Sequence, residues 1–335
     1  MTKITALSAV CSDLGGPPSV EMRHIDLPPL REAEVQIKVK AAALNFPDLL
    51  MTYGKYQYRP SLPFTIGMEG AGEVIALGPR AGPWEIGDRV MFKGKTGACS
   101  DYINVPFEQV QQLPETLSFE EGAAYGVTFH TAYVSLVKRG RLKRGETLLV
   151  HGSGGGVGQA SVAVGKALGA HVFATASSDE KLAVARESGA DHLINYANGQ
   201  FSDEIMHGTN GKGVDVILDP VGGGVLEESV SCLAWNGRLL TVGFASGDFG
   251  NISLPQLQER GGSLIGVRAG EYGRRNPAAG RAAFEELIEL TVQKNLRPRI
   301  GRTWHPWEVA EALQAMEDRR VFGKQVILCN GGQLR

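Results

Sequence analysis

The fold is decided by residues 147–178, which read TLLVHGSGGGVGQASVAVGKALGAHVFATASS. Two apolar runs flank a glycine-rich turn and a segment with apolar residues at helical spacing, so the pattern predicts strand, turn, helix, strand. Gly152, Gly155 and Gly158 follow a G-x-x-G-x-x-G spacing rather than the strict G-x-G-x-x-G. Glycines let backbone N–H groups approach a pyrophosphate at the start of a helix. Since it lies between a strand and a helix, the turn indicates dinucleotide binding rather than a flexible loop.

The residues after the second apolar run indicate which dinucleotide binds. An NAD site typically has Asp or Glu about twenty residues past the turn. This chain has Ser177 and Ser178 there, with Lys181 one helical turn further. Hydroxyl and ammonium groups suit a 2′-phosphate, which a carboxylate would repel. The sequence therefore favours NADPH over NADH, although residues 177–180 also fit a helix capping box and both roles can hold.

Length and composition limit the other classes of function. A chain of 335 residues is long enough for two domains. Its net charge of −2 and pI near 6.4 suggest neither a nucleic-acid nor an anionic-membrane partner. No apolar stretch approaches the roughly 20 residues that span a bilayer, and the first ten residues lack a secretory pattern. The four cysteines are scattered, so we expect reduced thiols and a cytoplasmic protein.

The order of predicted elements gives an α/β fold class. Residues 1–117 are β-rich, with one helix near 47–53, and suit a small barrel-like domain. A helical region at 118–138 breaks near Gly126, after which strands and helices alternate as in a parallel, doubly wound sheet. The last strand cannot form a sheet alone, so we expect it to return to the N-terminal domain. The predicted strands are 3–10, 35–40, 70–77, 88–92, 101–106, 147–151, 171–176, 192–196, 214–219, 237–243, 263–268 and 325–329, and the late helices are 278–294 and a second ending at 316.

Several short motifs support a family resemblance that spans nearly the whole chain. They are LNFPDLL at 44–50, YGKY at 53–56, PFTIGMEGAG at 63–72, GDRV at 87–90, DPVG at 219–222 and Gly323-Lys324. With the glycine turn, they resemble the medium-chain dehydrogenase/reductase superfamily and, within it, the zinc-independent quinone oxidoreductases. The resemblance implies a GroES-like catalytic domain at 1–124 and 268–335, completed by the C-terminal segment. It also implies an NADPH-binding Rossmann domain at 125–267.

The positions of the metal ligands separate this chain from the zinc-dependent relatives. Those enzymes place a cysteine where Asn45 stands and a histidine where Met68 stands. Neither Asn nor Met is a plausible zinc ligand, and the seven histidines are scattered without ligand spacing. We therefore expect no metal site. Without a Lewis acid, a conjugated acceptor is easier to reduce than a simple ketone, because the added charge spreads over its π-system.

The resemblance implies a substrate cleft between the domains, and three residues are candidates for its chemistry. Tyr56 is the first candidate hydrogen-bond donor to the acceptor oxygen, Asn45 lies beside it, and Asp48 would orient them. Simpler roles are open for each of them. Asn45 can cap the following helix, Asp48 can face its positive end, and the tyrosines can form a wall.

The cofactor candidates combine the turn with positions that the resemblance implies. Thr128 matches a position near the nicotinamide, or bonds back to its own helical turn. Tyr196 matches a position that covers the 2′-phosphate edge, or is an ordinary aromatic at a strand end. The segment 268–275 lines the cleft or is solvated. The candidates are Thr128, Gly152, Ser153, Gly154, Gly155, Gly156, Val157, Gly158, Ser177, Ser178, Lys181, Tyr196, Gly243, Phe244, Val267 and Arg268.

The expected function is an NADPH:quinone oxidoreductase that transfers hydride to a quinone or a related conjugated carbonyl without a metal. An enoyl or enal reductase on the same fold is one alternative. A protein that binds NADPH without catalysis, in a binding or stress role, is another. The substrate is a small molecule, and the physiological acceptor is not determined by the sequence. The resemblance also implies a homodimer that pairs through the last strand of the Rossmann sheet.

Overall fold

The structure, a computed structural model, describes residues 4–329 and divides into two compact units. The first comprises Met1–Val127 and Ile300–Arg335 as far as they are described, and the second comprises Thr128–Arg299. The outermost residues of the expected domain ranges, 1–3 and 330–335, lie outside the described part of the chain. The expected boundaries differ from this division mainly at residues 268–299, which belong to the second unit.

The secondary structure is mixed throughout the described chain. The strands are β1 (Thr5–Cys11), β2 (Val20–Asp26), β3 (Glu34–Leu44), β4 (Phe64–Thr65), β5 (Glu69–Leu77), β6 (Arg89–Lys93), β7 (Tyr102–Pro106), β8 (Val110–Gln112), β9 (Thr147–Val150), β10 (His171–Ala176), β11 (His192–Asn195), β12 (Val214–Asp219), β13 (Leu233–Thr241), β14 (Ser263–Gly266), β15 (Ile300–Trp304) and β16 (Lys324–Leu328). The α-helices are α1 (Phe46–Thr52), α2 (Phe119–Ala123), α3 (Thr128–Tyr133), α4 (Gly156–Ala167), α5 (Asp179–Glu187), α6 (Phe201–Gly208), α7 (Gly224–Ser229), α8 (Leu254–Glu259), α9 (Ala269–Arg275), α10 (Pro277–Lys294) and α11 (Val309–Glu317).

The second unit is built on one parallel sheet. Its strand order is β11-β10-β9-β12-β13-β14. Strands β9 and β12 are apolar runs that are buried along almost their whole length, as strands covered on both faces must be. The predicted doubly wound sheet is confirmed. The order reverses between β9 and β12, and ligands of such sheets bind beyond the carboxyl ends of the strands at that point.

The first unit contains a 7-stranded sheet and a 3-stranded sheet within the described residues. The long strand β3 pairs antiparallel with β5, β7 and β16, and its apolar side chains enter the core of the unit. Strand β16 lies against the end of β3, with Gln325 opposite Leu44. The expected return of the last strand to the N-terminal part of the chain is therefore confirmed.

Four strands of the first unit have no counterpart in the sequence prediction: β4 and β8 have only two and three residues, and β2 and β15 are longer. Both β2 and β15 lie at the edge of a sheet, and most of their side chains are partly or fully exposed. An edge strand with polar side chains on both faces lacks the apolar alternation on which strand prediction depends. Their absence from the prediction follows from that exposure.

Residues 268–299 belong to the second unit because helix α10 packs there. The Tyr133 hydroxyl donates to Glu286 Oε2 at 2.6 Å, and the Lys138 ammonium lies 2.6 Å from the same oxygen. At the end of the segment, the Gln159 amide bonds Arg299 through both its oxygen and its nitrogen. These contacts join the middle and the end of the segment to the unit that carries the glycine turn.

Candidate functional site

The seven residues from Gly152 to Gly158 form the turn after β9 and the first residues of α4, which begins at Gly156. Gly152 has φ +57°, and Gly155 is the residue that caps α4. A Cβ on Gly158 would lie 2.2 Å from the carbonyl oxygen of Gly152, and one on Gly154 would lie 2.6 Å from Cβ of Lys181. The helix and the turn approach closely only because these side chains are missing. The first N–H groups of α4 have no partner within the helix, so they can bind an anion.

The Ser153 side chain fastens the turn to the neighbouring strand. Its backbone N–H donates to Thr175 O at 3.0 Å, and its hydroxyl donates to the same oxygen at 2.9 Å. The hydroxyl proton is therefore already used. Ser153 was predicted to contact the cofactor, but in the structure its side chain holds the turn in place.

The hydroxyl and ammonium groups expected at the 2′-phosphate end meet just after β10. Lys181 Nζ donates to Ser177 Oγ at 3.2 Å, while Ser178 Oγ caps α5 by accepting from Lys181 N. Nearby, Asp179 accepts from the Asn195 amide at 2.9 Å. Both expected functions of this segment are thus compatible, because Ser178 caps the helix and Ser177 stands beside the ammonium.

The other cofactor candidates follow strand or helix ends of the second unit. Tyr196 comes directly after β11 and packs on the core. Thr128 is buried at the start of α3. Phe244 follows β13 and meets Phe249 edge to face at 4.7 Å. The remaining candidates, Gly243, Val267 and Arg268, follow β13 and β14 at the carboxyl edge of the same sheet, the edge where the turn lies.

A buried polar cluster joins three distant parts of the first unit. The Lys324 ammonium donates to Leu44 O at 3.0 Å, Asn45 Oδ1 at 2.7 Å and Glu69 Oε1 at 2.8 Å. Glu69 Oε2 accepts from Val127 N at 2.6 Å. The Lys324 and Glu69 side chains are 3% and 1% exposed. An ammonium has three protons, and all three are used, so the pair is compensated within the protein.

Asn45 is part of this cluster and has no donor left for a ligand. Its Nδ2 donates to Glu69 Oε1 at 2.9 Å and to Ala43 O at 3.3 Å, and its Oδ1 accepts from Lys324. A carboxamide has two N–H protons. In this arrangement Asn45 orients Glu69 and Lys324, and it does not offer a hydrogen bond to an acceptor oxygen.

Asp48 is fully buried and joins α1 to the loop before β5. Its carboxylate oxygens accept from Asn45 N at 2.8 Å and from Gly67 N at 3.2 Å. Burial raises the pKa of Asp48 to about 7, against the lowering effect of the Asn45 N–H and the Lys324 charge. Asp48 therefore supports the site by holding the backbone at Asn45 and at Gly67 together.

The three tyrosines after α1 differ in what their side chains contact. The Tyr53 hydroxyl donates to Glu317 at 2.8 Å, and the Tyr58 ring lies 4.4 Å under the Lys95 ammonium. Tyr56 is half-buried against the core, and within residues 4–329 no protein group hydrogen-bonds its hydroxyl. Tyr56 therefore keeps a donor for a ligand, as the candidate role requires.

Glu69 and Lys324 were not among the candidates from sequence. Both stand in the quoted motifs, but nothing in a single sequence reveals a contact between residues 255 positions apart. The only available signal was a glutamate and a lysine placed at the ends of otherwise apolar strands, where charged residues need a partner.

Asn45 and Met68 stand where the resembled zinc-dependent enzymes are expected to carry their metal ligands. Across residues 4–329, no group of three or more His, Cys, Asp or Glu side chains could hold a metal ion. The position beside Asn45 and Glu69 is filled by the Lys324 ammonium. These residues do not fit a zinc ion.

In the described part of the chain, no helix has the length and apolar character to cross a bilayer.

Comparisons with known proteins agree with this architecture. Residues 31–138 match the alcohol dehydrogenase GroES-like domain family, and residues 156–293 match the family described as zinc-binding dehydrogenase. The quinone oxidoreductase-like protein 2 homolog of Nematostella vectensis is 33% identical over 96% of this chain and 88% of its own. The solved structure of mycobacterial Rv1454c complexed with NADPH is 28% identical with a TM-score of 0.86, covering 96% of this chain and 99% of that one. The solved CurK enoyl reductase is 28% identical with a TM-score of 0.87, covering 96% and 99%.

The two family matches fall on the two units in the expected order, and the N. vectensis relative aligns with nearly the whole chain. The resemblance that the motifs indicated is thereby confirmed at the level of fold and family. The chain belongs to the medium-chain dehydrogenase/reductase superfamily, among its zinc-independent quinone oxidoreductases.

Proposed function

We propose that the protein is an NADPH-dependent reductase whose acceptor is a conjugated carbonyl, with a quinone as the first choice. The observation that carries this proposal is the Lys324 ammonium, which closes the cluster beside Asn45 and Glu69. No Lewis acid is available there to stabilise an alkoxide. A quinone needs none, because hydride addition leaves its charge spread over the ring and both oxygens.

The cofactor assignment rests on the second unit. The open N–H groups at the start of α4 suit a pyrophosphate. Ser177 and Lys181 suit a 2′-phosphate, because their hydroxyl and ammonium groups lie 3.2 Å apart just after β10. The mycobacterial neighbour that was solved with NADPH supports the same choice. When bound, NADPH supplies a hydride from C4 of its nicotinamide.

The protein's own contribution at the acceptor is a hydrogen bond. The Tyr56 hydroxyl would donate to the oxygen that gains negative charge, and a proton from Tyr56 or from water completes the hydroquinone. Asn45 and Asp48 would support the loop that carries this site, because their polar atoms are already bonded. Among the three catalytic candidates, Tyr56 is the residue whose hydroxyl has no hydrogen-bond partner within the described chain.

An acceptor screen tests the proposal. NADPH oxidation is measured with a benzoquinone, a 2-alkenal and an enoyl thioester at equal concentrations. We expect the quinone to give the highest rate. A fastest rate with the thioester would identify an enoyl reductase, like the CurK neighbour, and binding of NADPH without oxidation by any acceptor would identify a non-catalytic protein.

Tyr56→Phe tests the donor. Loss of one donor at a developing oxyanion lowers turnover by about 100-fold. The dissociation constant of NADPH should not change. Tyr58→Phe is the matched control, because the Tyr58 ring already faces Lys95, and its turnover should stay within about twofold of the unmodified protein. Unchanged turnover in Tyr56→Phe would remove Tyr56 from the mechanism.

The proposal includes a homodimer and a cytoplasmic location. Strand β14 ends the sheet of the second unit, and its Leu264 side chain is 44% exposed. Pairing this edge with a second copy would cover the strand and its apolar side chain. All four cysteines, which lie within the described residues, are buried without disulfides, as is typical of a reducing compartment. Light scattering should give twice the monomer mass, and Leu264→Lys should shift it to the monomer.

A further inference from the structure

A chain of three buried polar side chains lies beneath the glycine turn. His151 Nδ1 is 2.7 Å from Thr175 Oγ1, and His151 Nε2 is 2.9 Å from Ser229 Oγ. All three residues are 0% exposed. The histidine directly precedes Gly152, so this chain joins the entry of the turn to β10 and to α7. None of the proposed steps uses it.

Proton accounting fixes the state of the imidazole. The Ser229 hydroxyl donates its only proton to Val225 O at 2.6 Å, so Ser229 Oγ must accept from His151 Nε2–H. His151 Nδ1 is then the acceptor, and the Thr175 hydroxyl donates to it. Burial lowers the pKa of His151 to about 3, so the ring is neutral near pH 7. The neutral tautomer with its proton on Nε2 therefore makes both hydrogen bonds.

Thr175 fastens the turn at two points. Its hydroxyl bonds the His151 ring, and its carbonyl accepts both bonds from Ser153. The His151 backbone N–H is also fixed, since it donates to Leu218 O at 3.0 Å. Gly152 lies between the two fastened residues with φ +57°. Thr175 also precedes the proposed phosphate contact Ser177 by two residues in the chain.

We propose that His151 is a positioning residue for the cofactor, which through its bond to Thr175 holds the turn in the conformation that presents N–H groups to the pyrophosphate of NADPH. The imidazole acts through the backbone and does not touch the cofactor. The inference rests on the proposed NADPH-binding role of the turn. Titration of the unmodified protein with NADPH tests that role separately.

Three substitutions at one position test the inference. His151→Phe keeps an aromatic ring and removes both bonds, and we expect the dissociation constant of NADPH to rise about tenfold. The Oδ1 of Asn occupies a position close to that of Nδ1 and can accept from Thr175, so His151→Asn should recover most of the affinity. The Nε2 of Gln resembles the histidine Nε2 and can reach only Ser229, so His151→Gln should recover urea stability without affinity. A purely structural role predicts that affinity follows stability in all three.

Controls separate the two roles. Ile205→Val in α6 removes a fully buried methyl group, so it should lower the urea midpoint and leave NADPH affinity unchanged. If His151→Phe does not fold, Thr175→Val removes the hydroxyl donor alone and should weaken NADPH binding about fivefold. Unchanged affinity in both variants, or recovery by Gln equal to that by Asn, would overturn the inference. If the unmodified protein does not bind NADPH, the proposed function fails. Hydrogen exchange at the turn amides of the unliganded protein then still tests whether the His151–Thr175 bond holds the turn, and faster exchange is expected in His151→Phe.

Discussion

Replacing Lys324 with methionine should destabilise the first unit strongly. The ammonium makes three hydrogen bonds in a site that is 3% exposed, and methionine has similar length without the charge. The substitution leaves the Glu69 carboxylate buried, and its partners within the described residues are then the Asn45 amide and the Val127 N–H. Removing one member of a buried ion pair costs about 3–5 kcal/mol. We expect a loss of that size in the free energy of unfolding.

The double variant provides the stronger test of this reasoning. Adding Glu69→Gln removes the stranded charge, so the double variant should lie within about 1–2 kcal/mol of the unmodified protein and be more stable than Lys324→Met alone. Urea unfolding followed by tryptophan fluorescence reports mainly on this unit, because Trp84, Trp304 and Trp307 lie in it and Trp304 is buried. A cost below about 1 kcal/mol for Lys324→Met, or a double variant no more stable than the single one, would refute the ion-pair argument.

Three further results are expected. The pKa of Asp48 is about 7 in the folded state against the ordinary 3.8, so the folded state keeps a proton that the unfolded chain has lost, and stability should fall as pH rises from about 4 to about 7. Urea midpoints across that range should show this slope, and Asp48→Asn should flatten it; equal slopes would contradict the buried carboxyl. Lys181→Ala should weaken NADPH by about 10–100-fold and NADH by less than about twofold in fluorescence titrations, whereas equal losses would argue against a 2′-phosphate contact. Gly158→Ala should weaken NADPH at least about tenfold, because its Cβ would lie 2.2 Å from Gly152 O, while Gly224→Ala, with no atom within 4 Å of its Cβ, should bind normally.

Local patterns in the sequence were enough to predict the nucleotide-binding half of the molecule. The strand, turn and helix around Gly152 are consecutive, so apolar periodicity and glycine spacing describe them directly. The same holds for the pairing of Ser177 with Lys181, which are one helical turn apart. The return of the last strand was predicted from a general rule, since one strand cannot form a sheet by itself.

Contacts between distant residues could not be predicted from one sequence. Glu69 and Lys324 meet only because β16 pairs with the end of β3, and that register brings together residues far apart in the chain. The same pairing brings Lys324 to Asn45, and the pairing of β3 with β5 brings Glu69 there, so the carboxamide is bonded within the protein rather than free for the acceptor. Residues 268–299 likewise belong to the second unit because of where α10 packs. The sequence of the helix alone does not predict that packing.

The pairing of β16 with β3 also has a consequence for the order in which the protein can fold during synthesis on the ribosome. The second unit is one uninterrupted segment, Thr128–Arg299, and all of its strands have been made before β15 and β16 emerge. The first unit must wait with an open edge on β3 and with Glu69 lacking its Lys324 partner until the final strand is translated. The half of the protein that is made first is therefore the half that is finished last, and during that interval its exposed strand edge is a site where chaperones or aggregation could act.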